Sequence, residues 1–216
     1  MKIYVIRHGE TEYNKKGCLQ GWLDIPLNEN GEKTAILTGE GLSNVEFDYV
    51  FTSPLKRAYK TAELVVAGGT SNPPFICDDR LREISWGEWE GLGCTDENME
   101  VDPDIYFDFY RDCFHFSGAP GGESIVDNIN RMGDFYQDIL GREELADKTI
   151  LVSTHGCATR ALLHHVYEDK SDYWHGCVPA NCVVNIIEVK DGVGTLIGDD
   201  ILYYDESLAY DPYKLR

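Results

Sequence analysis

The chain has 216 residues, of which 43% are hydrophobic and 26% charged, and a formal net charge of −19. That length and composition suit a single domain with its own core, one that needs no disulfide or metal staple. So acidic a surface argues against nucleic acid and anionic membrane as partners, because both are held by basic faces; a small anion is still allowed wherever positive charge is gathered locally.

Lys2-Ile3-Tyr4-Val5-Ile6 is β-branched and aromatic and reads as a buried strand that stops at Arg7-His8-Gly9. Residues 30–43 predict a helix, weakened by Gly39 and Gly41. Asp48 to Thr52 is a short strand. Ser53-Pro54 follows as a helix cap and first-turn proline, with the helix running to Ala67 and ending at Gly68-Gly69. Its inner side should hold Ala58, Ala62, Val65 and Val66.

Residues 70–82 read as a loop with an extended piece at Phe75-Ile76-Cys77, and 83–103 as irregular. A helix over 104–115 is followed by the break Pro120-Gly121-Gly122 and a second helix from Glu123 to Leu140, with Glu123 and Ser124 as a helix-start pair. Thr149 to Ser153 is a strand ending near His155-Gly156, and a helix over Cys157–Val166 comes next. Residues 182–189 and 193–198 pair as a hairpin across Lys190-Asp191-Gly192. The Asp- and Tyr-rich tail, 199–216, carries no readable element. Strands alternating with helices predict a three-layer α/β/α sandwich around a largely parallel, mixed sheet, the hairpin adding an antiparallel edge.

Seven cysteines, an odd number with no Cys-x-x-Cys, signal neither a disulfide framework nor a zinc ribbon. The N-terminal apolar run is too short for a signal-peptide core or a membrane span. The expectation is a cytoplasmic protein whose cysteines are mostly small buried hydrophobes.

Three strand-to-helix junctions carry unusual polar residues: Arg7-His8-Gly9, Ser53-Pro54-Leu55-Lys56-Arg57 and Thr154-His155-Gly156. In open α/β sheets ligands bind beyond the carboxyl ends of the strands. If the three strands run parallel, Arg7, His8, Arg57 and His155 converge there, a local positive pocket on a negative protein. Phosphate is the natural guest, because a guanidinium fork grips two oxygens at once and helix N-termini add free N–H groups. Further on lies Arg82-Glu83-Ile84-Ser85-Trp86-Gly87-Glu88-Trp89-Glu90-Gly91. A carboxylate set beside bound phosphate is pushed toward its protonated form, which suits a general acid.

The ordered blocks Arg7-His8-Gly9-Glu10-Thr11, Asn14, Gln20-Gly21, Ser53 to Ala58, Glu83 to Gly91, Pro120-Gly121-Gly122-Glu123-Ser124 and His155-Gly156 resemble the histidine phosphatase superfamily, in its phosphoglycerate mutase-like branch. The resemblance spans about residues 1–190 of a single domain, 1–216, with about 84–120 as a substrate-covering insertion. It implies that His8 is a nucleophile that becomes transiently phosphorylated. Arg7, Arg57 and His155 would bind the phosphoryl oxygens, and Asn14 would be a further donor. Glu83 would be the acid and then the base. Gln20 and Gly21 match a loop that touches substrate. The resemblance implies no metal and no organic cofactor. It leaves the oligomeric state open, homodimers being common in the family.

The family contains phosphatases and mutases. Residues 84–122 hold one arginine, Arg111, no lysine and nine acids, a cover that disfavours a second phosphate. The expected activity is hydrolysis of a small phosphorylated metabolite, with Phe107, Phe109, Tyr110, Phe114 and Phe116 available as an apolar wall and Trp86 and Trp89 mainly as packing. The alternatives are mutase-type phosphoryl transfer and a regulator that binds phosphate without turnover. His115, His164, His165 and His175 read as non-catalytic, and no metal site is read from His8, Glu10 and His155, since His-Glu-x-x-His spacing is absent.

Overall fold

The computed structural model describes residues 1–209. Its strands are β1 (Lys2–Arg7), β2 (Tyr49–Thr52), β3 (Phe75–Cys77), the two-residue strands β4 (Cys94–Thr95) and β5 (Asn98–Met99), β6 (Thr149–Thr154), β7 (Val184–Lys190) and β8 (Val193–Ile201). Its helices are α1 (Glu12–Lys16), α2 (Glu29–Gly41), α3 (Lys56–Ala67), α4 (Pro103–Arg111), α5 (Ile125–Leu140) and α6 (Gly156–Leu163).

The main sheet runs β3-β2-β6-β1-β7-β8. β1, β2, β3 and β6 are parallel, and β7 joins β1 antiparallel, with β8 outermost. Strand alternation sends Ile3 and Val5 of β1, with Ile150 and Val152 of β6, to the face covered by α5 and α6. Tyr4, Ile6 and Leu151 point to the opposite face, where Ala35 of α2 and Ala62 and Val65 of α3 pack. Both faces are therefore covered, which explains why the central strands read as unbroken apolar runs. This is the expected three-layer α/β/α sandwich. Ala58, Ala62, Val65 and Val66 are the buried side of α3, as expected.

Several local readings are corrected. Ser53 does not cap α3: the helix starts three residues later, with Leu55 in the cap position and no side-chain cap. Glu123 and Ser124 do stand at the start of α5, but the helix begins at Ile125 rather than Glu123, with Ser124 as its cap and Asp127 completing a capping box. The segment read as irregular contains the small β4–β5 hairpin, and α4 and α6 end at Arg111 and Leu163, short of the sequence estimates. Part of the tail is ordered: β8 reaches Ile201 and a short 3₁₀ turn spans Glu206–Leu208. Residues 210–216 lie outside the described residues. None of the seven cysteines forms a disulfide; four are buried and Cys77 is exposed. Among the described residues no helix is long and apolar enough to cross a membrane.

Candidate active site

Because β1, β2 and β6 are parallel neighbours, their carboxyl ends bring Arg7, Ser53 and His155 to one sheet edge. A cavity opens there, lined by Arg7, His8, Asn14, Gln20, Gly21, Arg57 and Glu83 together with Leu19, Ile84, Trp86, Phe109, Tyr110, Gly156, Cys157, Trp174 and Val178. His155 stands behind this lining, its ring 5.1 Å from that of His8 in an edge-on arrangement at 63°. The sequence-predicted residues are thus gathered in one place.

His8 is buried, and its Nδ1 lies 2.7 Å from the carbonyl oxygen of Gly9. A carbonyl can only accept, so Nδ1 carries the proton and Nε2 keeps its lone pair. Burial first, then the Arg57 and Arg7 charges, hold His8 well below the ordinary 6.5 of an imidazole, so the ring is neutral. His155 is held down in the same way, by burial and then by Arg57. Its Nε2 is 2.8 Å from Ser53 Oγ, which itself accepts the Leu55 N–H at 3.3 Å. With that amide on its oxygen, the Ser53 hydroxyl can give its proton to Nε2, leaving the imidazole hydrogen on Nδ1. Ser53 is thus the partner of His155.

Both arginines divide their donors. Arg7 gives NH1 to the carbonyl of Pro179, and Arg57 gives NH1 to Leu23 O at 2.7 Å and NH2 to Gly21 O at 2.8 Å. The Nε groups of Arg7 and Arg57, and Nδ1 of His155, are buried with no hydrogen-bond partner. A buried donor without a partner costs about 1–3 kcal/mol. Three of them around one neutral imidazole form a cradle that an anion with several oxygens would satisfy.

Glu83 reaches the same cavity from the loop after a 3₁₀ turn at Asp79–Leu81. Its Oε1 accepts from Ala158 N at 2.9 Å and Ile84 N at 3.0 Å, and its Oε2 from Cys157 N at 3.2 Å. The carboxyl group therefore sits on the first turn of α6, where it takes up free amides of the helix N-terminus. Asn14 Oδ1 accepts the Thr11 N–H at 3.1 Å, and the Thr11 hydroxyl, with one hydrogen to give, donates to Gln20 Oε1 at 2.9 Å, so both amides have their oxygens engaged and their NH₂ ends in reserve.

Sequence reasoning missed the residues that hold this arrangement. Asn181 Nδ2 donates to the His8 carbonyl at 2.8 Å, and the Gly9 N–H donates to Thr61 Oγ1 at 2.9 Å. Trp174 and Val178, in the loop between α6 and β7, complete the rim. None of these stands in a local pattern that marks it. Of the aromatic residues expected as a wall, Phe109 and Tyr110 line the cavity, whereas Phe116 is in the core and Phe107 and Phe114 pack against it. Trp86 both packs, stacked 6.4 Å from Trp89, and lines the cavity.

Two guanidiniums, two neutral imidazoles and a carboxylate at the carboxyl edge of an α/β sheet define a phosphoryl-handling enzyme. The chain belongs to the histidine phosphatase superfamily (branch 1), whose model matches residues 3–198. It is 34% identical over 195 residues to phosphoserine phosphatase 1 of Hydrogenobacter thermophilus, covering 89% of this chain and 90% of that one. It is 30% identical to the 2,3-bisphosphoglycerate-dependent phosphoglycerate mutase of Cytophaga hutchinsonii, covering 76% of each. The solved structure of Bacillus stearothermophilus YhfR superposes with a TM-score of 0.82 at 33% identity, over 94% of this chain and 98% of that one. Membership, with relatives named as phosphatases, makes the chain a phosphomonoester hydrolase in class.

Proposed function

We propose that the chain hydrolyses a small phosphomonoester bearing one anionic group, with His8 as the nucleophile. His8 Nε2 attacks phosphorus and the ester P–O bond breaks, Glu83 giving its proton to the leaving alkoxide. Water then attacks the phosphohistidine; the N–P bond breaks, Glu83 takes the water's proton, and inorganic phosphate leaves. Arg7, Arg57 and His155 hold the equatorial oxygens, where charge gathers in a loose transition state, and Asn14 adds a donor. Gln20 and Gly21 face the substrate. The observation that carries this reading is the set of three unpartnered buried donors around a neutral His8.

Substrate class follows from the rim. Among the described residues Arg7 and Arg57 are the only cations lining the cavity, and Arg111 is exposed, its guanidinium 4.8 Å above the Phe107 ring. Among the described residues a second phosphate or a carboxylate would meet no further cation in that lining. The contributions of Ile84, Trp86, Phe109 and Tyr110 support residues 84–120 as the cover over an apolar leaving group. Much of that segment is also core, since Trp89, Val101, Tyr106 and Phe116 are buried. Seven cysteines without a disulfide favour a cytoplasmic setting.

The decisive experiment is labelling with a radiolabelled monoester, stopped in denaturant at alkaline pH because the N–P bond of phosphohistidine is cleaved by acid. The enzyme should carry label on histidine and His8→Ala should lose both label and turnover; normal turnover in that variant refutes the mechanism. Similarity to mutases keeps phosphoryl transfer as the second reading. A monophosphate with a bisphosphate primer separates the two, because hydrolysis releases phosphate and a mutase yields the isomer without release.

A further inference from the structure

Glu83 sits on a loop rather than on a regular element, yet a general acid must be held to within a fraction of an ångström. Amides of Ile84, Cys157 and Ala158 hold its carboxyl, and its main chain is held by a side chain from α5, which packs against the preceding 3₁₀ turn. Arg131, midway along α5, donates NH1 to the carbonyls of Arg80 at 2.6 Å and Arg82 at 2.8 Å, and NH2 to the carbonyl of Glu83 itself at 3.1 Å. Its Nε and NH2 also meet Glu123 Oε1 at 2.8 Å and Oε2 at 2.7 Å, a two-point ion pair in which both partners are largely shielded from water. Glu123 continues the grip: its Oε2 accepts the Ser85 N–H at 2.9 Å, and its own N–H donates to the Ser85 carbonyl at 2.9 Å. Main-chain groups of residues 80, 82, 83 and 85 are therefore fixed by one ion pair. On the other side, Trp22 Nε1 donates to the same Glu83 carbonyl at 2.9 Å.

We propose that Arg131, with Glu123 as its counter-ion, is the positioning residue that aims the Glu83 carboxyl at the leaving oxygen. The inference rests on Glu83 being the acid. A lysine could not replace Arg131, because a single ammonium cannot span three carbonyls and a carboxylate as a planar fork does.

The test compares kcat/KM for dinitrophenyl phosphate, whose leaving group needs no proton, with that for a simple alkyl phosphate, whose leaving group does. General acid catalysis is worth about 10²–10⁴ in rate. Arg131→Met should therefore lower the alkyl rate by about 10²-fold and the dinitrophenyl rate by less than about 3-fold. Glu123→Gln keeps an acceptor for the Ser85 N–H and removes the charge; it should shift the same ratio by about 10-fold, and it answers the question if Arg131→Met does not fold. In a Glu83→Gln background, Arg131→Met should leave the ratio unchanged. Equal losses on both substrates, or a shift in ratio that persists in the Glu83→Gln background, overturn the positioning role while leaving Glu83 as the acid. A Glu83→Gln enzyme with no leaving-group dependence overturns the acid assignment, and the positioning role with it.

Discussion

Replacing Arg57 by lysine separates the charge of this residue from its shape. Arg57 is fully buried, and two of its five N–H groups are taken by the carbonyls of Gly21 and Leu23. Three remain for a phosphoryl group, the unpartnered Nε–H among them. An ammonium carries its donors on one atom. It can hold the loop or the phosphoryl oxygens, not both. Charge is also at risk: burial already pulls Arg57 down to about 10. Lysine starts about two units lower than arginine, so the same burial lets it lose its charge a little above neutral pH. Loss of one preorganised donor costs about 10²–10³ in rate, or about 3–4 kcal/mol. We therefore expect Arg57→Lys to lower kcat/KM for nitrophenyl phosphate by at least about 10²-fold at neutral pH. The ratio of mutant to wild type should fall further as pH rises above neutral and the ammonium loses its proton. A variant within about 3-fold of wild type across the pH range would show that charge alone suffices and refute the fork argument.

Two further outcomes are expected. Both imidazoles are held below 6.5 by burial and by Arg57, so the unfolded chain binds more protons there than the folded one as pH falls below that value. The stability these rings contribute is present above pH 6.5 and is lost as pH falls toward their folded values; ring-proton titration by NMR should show both neutral at pH 6.5, and a signal half-protonated at or above that pH contradicts the burial argument. Gly31, in the first turn of α2, lies against the backbone of Glu10, two residues from His8, and a Cβ there would collide with the Glu10 carbonyl oxygen and amide nitrogen. Gly31→Ala should cost about 1–3 kcal/mol in a denaturant titration and lower kcat by shifting the His8 loop, although residue 31 does not line the cavity; unchanged stability would show that α2 yields freely.

Much of the fold could be read locally. Ile3 and Val5 on one face of β1, and Tyr4 and Ile6 on the other, are an apolar run that only a strand covered on both sides can satisfy, and the run announces itself in sequence. The Arg7-His8-Gly9 and His155-Gly156 turns were equally legible, because the carboxyl ends of parallel strands share one edge whatever the loops do. Ser53 shows where local reading fails. A serine before a proline has the pattern of a helix cap, yet its hydroxyl instead faces an imidazole 102 positions away.

What the sequence determined by itself was therefore the set of elements and the chemistry at their ends, since periodicity, capping and residue type act over a few neighbours. Tertiary structure alone decided which groups meet. Arg131 grips carbonyls about fifty positions upstream, Arg7 reaches the carbonyl of Pro179, and Trp174 closes the rim over Phe109, its ring 5.0 Å away. Such contacts leave no periodic trace, because a backbone carbonyl can accept from any donor that the packing of distant elements delivers to it.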